Sequence, residues 1–204
     1  SKIMEPLVLF DLDGTVLTFD GTPPGPGRLA MAATTRELFG EDHNAGVRFA
    51  GQTDRSLART LMQRAGVADE HIEQRTDAFL ACYVQHVGQV LQTRRYRPIG
   101  DVIGCLEACR ARGYRVGLAT GNQREGARLK LRSAGLEQAF DLSWGGYGCD
   151  HELRHEVVRA AIRRCRGLAP QSIVDPRGVV VVGDTILDVQ AARAVGAHMV
   201  GVSI

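Results

Sequence analysis

Two aspartates, Asp11 and Asp13, stand one residue apart directly after the apolar run Leu7–Phe10. Gly14 follows them, and its conformational freedom lets the chain turn so that both carboxylates face one site. Like charges this close push their pKa values apart, so one group can attack as a nucleophile while the other carries a proton. Taken alone, such a pair also suits a solvated turn or a helix cap, and other residues must decide between these interpretations.

A second acidic pair, Asp184 and Asp188, begins a helical pattern after the apolar run 179–182. Side chains four residues apart share one helix face, where two carboxylates repel each other unless a cation lies between them. Either residue alone could be favoured there by the helix dipole. Four carboxylates at one sheet edge are costly without neutralisation, and all-oxygen ligation favours a hard divalent ion. The sequence therefore predicts a Mg²⁺ site formed by this pair together with Asp11 and Asp13.

A third polar segment, Thr120, Gly121 and Asn122, follows the apolar run 114–119. Its hydroxyl and backbone N–H groups are suited to holding phosphate oxygens. Thr120 alone could equally cap the helix that follows. Because ligands of parallel sheets bind beyond the carboxyl ends of the strands, we expect this segment to meet the two acidic pairs at one edge of the sheet.

Alternating strand and helix patterns position these residues. Apolar runs predict strands, and helical periodicity predicts helices that end near glycines. The predicted strands are Leu7–Phe10, 114–119, 140–144, 179–182 and 198–202, and the predicted core helices are 100–112, 124–134, 152–166 and 187–195. We therefore expect an α/β fold, a Rossmann-like doubly wound parallel sheet with helices on both faces.

Residues 18–97 interrupt this alternation. Helical patterns occur at 28–39, 54–65 and 70–90, with no convincing strand. We expect an α-helical cap domain, 18–97, inserted into a discontinuous catalytic core of residues 1–17 and 98–204. Two linkers would join the cap to the core and could act as a hinge.

The ordered motifs FDLDGTVL (10–17), LATGN (118–122) and VVGDTILD (181–188) resemble those of the haloacid dehalogenase superfamily of phosphohydrolases. The chain is most similar to the branch with a helical cap after the first motif, the phosphoglycolate-phosphatase-like and β-phosphoglucomutase-like proteins. The likeness spans the whole chain in the correct order. It implies a Mg²⁺-dependent phosphatase that acts on a small phosphorylated metabolite.

The resemblance also implies roles for the aspartates. Asp11 would attack phosphorus to form an aspartyl phosphate, while Asp13 would protonate the leaving oxygen and later deprotonate the attacking water. Mg²⁺ would be held by the Asp11 carboxylate, the Asp13 backbone carbonyl and the Asp184 carboxylate. Asp188 would support these ligands.

The transferring phosphoryl group would be held by Thr120, by the backbone near Gly121 and by a basic residue that is normally a Lys. Lys130 lies in a helical pattern where we expect a solvated helix face. Arg154, 30 positions before the first aspartate of the last motif, is the best substitute, and Arg159 is the alternative. The planar guanidinium suits phosphate, but Arg154 could also be an ordinary surface residue of an Arg-rich chain.

The stretch GQTDR (51–55) resembles the substrate-facing cap turn of this branch, which makes Thr53, Asp54 and Arg55 candidate substrate-binding residues. The alternative is a turn that caps the following helix. Sugar-phosphate mutases of the branch carry basic cap residues that hold the distal phosphate. Here Asp54 stands where that Arg would be and the cap has no Lys, which favours a phosphatase over a mutase. Asp13 argues against carbon–halogen cleavage, because the dehalogenases lack this second aspartate.

The composition bounds the remaining possibilities. With 204 residues, 44% of them hydrophobic and 24% charged, the chain has the composition of a soluble globular protein. A net charge of +2 suggests no nucleic-acid partner, and no apolar stretch is long enough for a membrane span. Without a visible secretory signal we expect a cytoplasmic protein, whose five cysteines are reduced and mostly buried. A catalytically silent binding protein and a mutase are the alternative functions, and the substrate and oligomeric state stay open.

Overall fold

The computed structural model describes residues 4–203. The strands are β1 (Leu7–Phe10), β2 (Leu17–Phe19), β3 (Tyr96–Pro98), β4 (Arg115–Ala119), β5 (Gly145–Gly146), β6 (Val179–Gly183) and β7 (His198–Gly201). The helices are α1 (Pro26–Phe39), α2 (Asp54–Arg64), α3 (Asp69–Val90), α4 (Val102–Ala111), α5 (Arg124–Ser133), α6 (Arg154–Cys165) and α7 (Ile186–Val195). With one exception, every predicted helix and strand is present with both ends within two residues of the prediction.

The central element is a five-stranded parallel sheet in the order β5-β4-β1-β6-β7. All four residues of β1 are buried, because this middle strand is covered on both faces. Val8 and Phe10 pack into one hydrophobic cluster, and Leu7 and Leu9 into another on the opposite face. The predicted α/β fold with a doubly wound parallel sheet is confirmed, and the carboxyl ends of β1, β4 and β6 lie side by side.

Helices α1, α2 and α3 lie between β2 and β3 and surround a hydrophobic cluster of their own, which includes Met31, Leu61 and Phe79. A separate core of this kind supports our proposal that residues 18–97 form a cap domain. Strands β2 and β3 pair antiparallel, with Thr18 opposite Arg97, so the segment that enters the insert is hydrogen-bonded to the segment that leaves it. This pairing is not predictable from the sequence pattern, because strands of three residues are too short to show an alternation.

The predicted strand at 140–144 is wrong. This segment contains a short 3₁₀ helix, Leu142–Trp144, and the fifth strand of the sheet is the two-residue β5 that follows it. The Asp141 carboxylate accepts hydrogen bonds from the backbone N–H and the hydroxyl of Ser143, which stabilises the turn instead of an extended chain. The buried Phe140 ring packs edge-on against the Phe10 ring, with 6.1 Å between the ring centroids. The apolar residue that suggested a strand is therefore a core residue next to a turn.

All five cysteines are free, but only Cys165 is fully buried, so the prediction of mostly buried thiols is wrong. No helix among residues 4–203 has both the length and the apolar character required to cross a membrane.

Candidate active site

Three carboxylates meet at the carboxyl ends of two adjacent strands. Asp11 follows β1, Asp184 follows β6, and Asp188 lies in the first turn of α7. One oxygen from each falls within 4.8 Å of the others. Gly14 permits this approach: its φ is +77°, and a Cβ there would lie 2.2 Å from Oδ2 of Asp184. The fold therefore brings together three of the four predicted carboxylates.

A buried guanidinium completes this cluster. Arg154, the first residue of α6, is 8% exposed, and its Nη2 lies 3.0 Å from Oδ1 of Asp11 and 2.9 Å from Oδ1 of Asp188. The same nitrogen donates to the carbonyl of Ala119 at 3.1 Å. Burial acts against the charged form, but the two carboxylates outweigh it and raise the pKa of Arg154 above its ordinary value. Of the two predicted basic residues, Arg154 therefore lies at the site as a permanent cation.

The alternative basic residue, Arg159, lies elsewhere. Its guanidinium pairs with Glu156 one turn earlier on α6 and donates to the carbonyl of Ala194 at 3.2 Å. It contacts none of the clustered aspartates, so geometry favours Arg154.

The acidic cluster is under electrostatic strain. Burial raises the pKa of Asp11 to about 7, with Asp188 and Asp13 adding to the rise and Arg154 opposing it. Burial also raises the pKa of Asp184, although the Thr15 hydroxyl donates to this carboxylate at 3.2 Å and opposes the change. One guanidinium does not neutralise three carboxylates, so the cluster favours additional positive charge.

The fourth aspartate turns its side chain away from this cluster. Both oxygens of Asp13 contact the Lys130 ammonium, at 3.0 and 3.1 Å, and Nδ2 of Asn122 donates to Oδ2 at 2.7 Å. Although burial acts to raise the pKa of Asp13, Lys130 and Asn122 outweigh it and hold the pKa below its ordinary value. The Asp13 carboxylate is therefore stabilised by a cation of its own.

The prediction that Lys130 lies on a solvated helix face is wrong, because the residue is 4% exposed. Gly126, Ala127 and Leu131 are the other buried residues of α5, and Lys130 is four positions after the first and three after the second. This spacing was visible in the sequence and places Lys130 on the buried face. The ordinary preference of lysine for solvent obscured it.

The segment after β4 is buried and tightly connected. The Thr120 hydroxyl is fully buried and accepts hydrogen bonds from the backbone N–H of Asn122 at 3.1 Å and from its Nδ2 at 2.8 Å. A Cβ on Gly121 would lie 2.0 Å from the Gln52 carbonyl oxygen, so only glycine lets the cap segment approach this closely. Gly121 and Asn122 line a cavity between the sheet edge and the helical insert, whereas Thr120 is not among the residues that line it.

The three predicted cap residues have different surroundings. Thr53 caps α2, accepting from the backbone N–H of Ser56 at 3.0 Å, and its hydroxyl donates to the Glu152 carbonyl at 2.8 Å. The Arg55 side chain pairs with Glu73 on α3 and is not among the cavity-lining residues. Asp54 lines the cavity, and its carboxylate accepts from the Gln123 backbone N–H at 2.6 Å. Among the three, only Asp54 borders the space above the aspartates.

The titration of Asp54 predicts a pH dependence of stability. Burial raises the pKa of Asp54 to about 6, with Lys130 and the Gln123 N–H opposing the rise. The folded state then binds more protons than the unfolded chain between the two pKa values, so the free energy of unfolding falls as pH rises through this range. Between pH 4 and 7 the free energy of unfolding of wild type should therefore fall by roughly 2–3 kcal/mol relative to that of Asp54→Asn, which cannot titrate at this position. Urea unfolding at stepped pH measures this difference, and parallel profiles for the two proteins would contradict the prediction.

The cavity between the sheet edge and the helical insert has a volume of about 360 Å³. Its polar wall carries the groups described above, and its apolar wall comes from the insert and from β2 and β3. Lining residues from that second wall include Leu17, Phe19, Phe49, Leu57, Tyr83 and Tyr96. This volume is at the lower end of the range for small-molecule sites, so it suits a small ligand.

Paired aspartates and a buried cation that face a cavity beneath a helical insert are suited to a reaction on a small ligand at the sheet edge. The chain belongs to the haloacid dehalogenase-like hydrolase family, whose sequence model matches residues 6–196. This membership and the phosphatase names of its relatives make the protein an enzyme of the phosphatase class. The predicted family and class of enzyme are thereby confirmed.

Individual relatives fit this classification. The chain is 24% identical to phosphoglycolate phosphatase of Escherichia coli (strain K12), over 96% of this chain and 80% of that protein. It is 28% identical to a Dickeya dadantii (strain 3937) protein named "Probable phosphatase IndB", over 98% and 82% of the two chains. The fold is shared with CbbY from Rhodobacter sphaeroides in complex with phosphate, at a TM-score of 0.65 and 16% identity, over 98% and 87% of the two chains.

Proposed function

We propose that this protein is a Mg²⁺-dependent phosphatase that hydrolyses a small phosphorylated metabolite through an aspartyl phosphate on Asp11. The observation that carries the proposal is the position of the Asp11 carboxylate. It is buried at the end of the central strand, held at 3.0 Å by the Arg154 guanidinium, and open to the cavity. A carboxylate fixed beside a permanent cation, where a phosphate ester can enter, is arranged for nucleophilic attack on phosphorus.

The two aspartates divide the chemistry. In the first step, which requires Asp11 ionised and Asp13 protonated, an oxygen of Asp11 attacks phosphorus, the bond from phosphorus to the leaving oxygen breaks, and that oxygen takes a proton from Asp13. Lys130 favours the ionised form of Asp13, so Asp13 must take up its proton when the phosphate ester brings negative charge into the site. In the second step water attacks the aspartyl phosphate and gives its proton to Asp13, while the bond from phosphorus to Asp11 breaks. Phosphate is released and both carboxyl groups return to their initial states. Arg154 lies where it can hold the phosphoryl oxygens during both steps.

The residues present fit a divalent cation. If all four are ionised, Asp11, Asp13, Asp184 and Asp188 carry four negative charges against two positive charges on Lys130 and Arg154, a net charge of −2 that a divalent cation would neutralise. Oxygen ligands are those that Mg²⁺ prefers. We propose that the Asp11 and Asp184 carboxylates and the Asp13 backbone carbonyl hold the ion, with Asp188 in support. When bound, Mg²⁺ supplies charge neutralisation to the phosphoryl group.

The substrate proposal follows from the cavity and the relatives. A cavity of about 360 Å³ has room for a leaving group of metabolite size. Several relatives are named phosphoglycolate phosphatase, which makes phosphoglycolate the first compound to try. We propose that Gly121 and Asn122 contact the phosphoryl group, whereas Thr120, which is fully buried and outside the cavity lining, holds Asn122 in place through its hydroxyl. Among the predicted cap residues, Asp54 is placed to contact the leaving group, whereas Thr53 and Arg55 stabilise the cap turn.

The presence of Arg154 bears on the alternative of a catalytically silent protein. That alternative depended on the missing lysine having left the nucleophile without a cation. The guanidinium at 3.0 Å from Asp11 provides that positive charge, which supports turnover.

Removal of the metal tests the proposed function. We expect phosphate release from p-nitrophenyl phosphate to fall at least about 10²-fold in excess chelator and to return with added Mg²⁺. Asp184→Asn should raise the Mg²⁺ concentration for half-maximal activity at least about tenfold, and titration calorimetry should show the same loss of affinity. Asp175→Asn, at a half-buried aspartate that pairs with Arg177, is the matched control. Full activity in chelator would refute the metal requirement.

The substrate is then sought among phosphorylated metabolites. Phosphate release is measured from phosphoglycolate, sugar phosphates, nucleotides and phosphoserine under the same conditions. Interconversion of sugar phosphates faster than phosphate release would instead favour a mutase.

A further inference from the structure

The contact between Lys130 and Asp13 is unusually well fixed for a lysine. The ammonium lies within 3.1 Å of both carboxylate oxygens, and it also lies 5.3 Å from the centre of the Tyr96 ring. Asn122 holds Oδ2 of the same carboxylate from a second direction at 2.7 Å. A carboxylate held on both oxygens and from two elements has little freedom to rotate.

The same carboxylate still faces the cavity. The Asp13 side chain is 44% exposed, whereas the side chain of Lys130 is 5% exposed, so the lysine supports the aspartate from behind. Without that support the Asp13 side chain could adopt other rotamers, and rotation of the carboxyl group would change its position relative to the leaving oxygen. Displacements of about 1 Å from the reactive geometry can cost on the order of 10²-fold in rate.

The helical insert covers this ion pair. A Cβ placed on Gly27 of α1 would lie 3.5 Å from Nζ of Lys130 and 3.5 Å from the hydroxyl of Tyr83 on α3, so cap residues lie directly against the ammonium. Exclusion of water by these residues strengthens the attraction between Lys130 and Asp13. The fixed orientation of Asp13 therefore depends on residues of α1, α3 and α5 together.

We propose that Lys130 is a positioning residue, which holds the Asp13 carboxyl group in the orientation needed for proton transfer to the leaving oxygen. The proposal rests on the proposed function, because it assigns Lys130 to the acid–base group of that reaction. The two cations of the site then have different roles. Arg154 contacts the nucleophile Asp11 and would bind the phosphoryl group, whereas Lys130 contacts the acid Asp13.

Dependence on the leaving group separates this role from a structural one. A p-nitrophenyl leaving group needs little protonation, whereas an alkyl leaving group depends on the acid. In Lys130→Met we expect kcat for a short alkyl phosphate to fall on the order of 10²-fold, and kcat for p-nitrophenyl phosphate to fall less than about tenfold. Lys130→Arg, which keeps the charge, should restore part of the alkyl rate. The control is Arg132→Met. Arg132 lies on the same helix as Lys130 but is exposed and pairs with Glu137, so its loss should leave the ratio of the two rates unchanged.

A second measurement covers the case in which Lys130→Met fails to fold, since the change leaves a buried carboxylate without its cation. The double variant Asp13→Asn with Lys130→Met removes both charges. If Lys130 acts through Asp13, the double variant should be no more than about twofold slower than Asp13→Asn alone. Equal losses on the two esters in Lys130→Met, or a further loss above about tenfold in the double variant, would overturn the proposal. Failure of the wild-type protein to hydrolyse either ester would overturn the proposed function itself, before any variant is compared.

Discussion

Replacing Asp11 by Asn should lower phosphate release from p-nitrophenyl phosphate by on the order of 10⁴-fold or more. The amide has nearly the same shape as the carboxylate but cannot form a covalent intermediate with phosphorus. Burial already raises the pKa of Asp11 to about 7, so a neutral side chain at this position is compatible with the fold. The variant should therefore retain its structure and its thermal unfolding temperature while losing turnover.

An exposed aspartate near β2 provides the control for this experiment. Asp20 pairs with Arg97 at 3.0 Å and its side chain is 58% exposed, so Asp20→Asn should retain wild-type turnover. Acid quenching of the wild-type reaction with labelled substrate should trap a protein-bound phosphoryl group, which Asp11→Asn should lack. Residual activity in Asp11→Asn within about tenfold of wild type would contradict nucleophilic catalysis by Asp11.

The carboxyl ends of the strands were predictable because each apolar run ends abruptly in polar residues. Leu7–Phe10 is a continuous buried strand, and a strand covered on both faces can expose side chains only where it ends. The position of Asp11 and the proximity of Asp184 followed from this pattern and from the parallel order of the sheet. Gly14 was predicted to let the chain turn, and its φ of +77° is in the left-handed region, but the room that it leaves for Asp184 was not foreseen.

Features that depend on tertiary contacts were not predictable in the same way. Lys130 is buried because Asp13 and Tyr96, distant in sequence, surround its ammonium. The pairing of β2 with β3 depends on residues about 80 positions apart, and neither strand is long enough to indicate it alone. The segment at 140–144 is apolar because Phe140 enters the core, and local hydrogen bonds of Asp141 decide its conformation. The β2–β3 pair therefore depends on distant contacts, the 140–144 turn depends on local hydrogen bonds, and Lys130 follows the helix spacing once distant partners compensate the burial of its charge.

Arg154→Ala should also have a large effect, with turnover falling by on the order of 10²–10³-fold. The guanidinium contacts Asp11 and Asp188 at once, so its loss removes the cation beside the nucleophile and leaves two buried carboxylates facing each other. Breaking a buried ion pair in this way costs about 3–5 kcal/mol of folding stability, so activity must be compared at a temperature where the variant is folded.

The chain offers an internal control for the loss of a guanidinium from α6. Arg159 lies on the same helix, pairs with Glu156 and contacts no residue of the acidic cluster, so Arg159→Ala should stay within about threefold of wild-type turnover. Arg154→Lys should recover part of the activity, because lysine keeps the positive charge but lacks the planar guanidinium that fits a phosphoryl group. Activity of Arg154→Ala within about threefold of wild type would show that phosphoryl transfer does not use this cation. A fall that is equal in Arg154→Ala and Arg159→Ala would point to helix stability, because only Arg154 reaches the nucleophile.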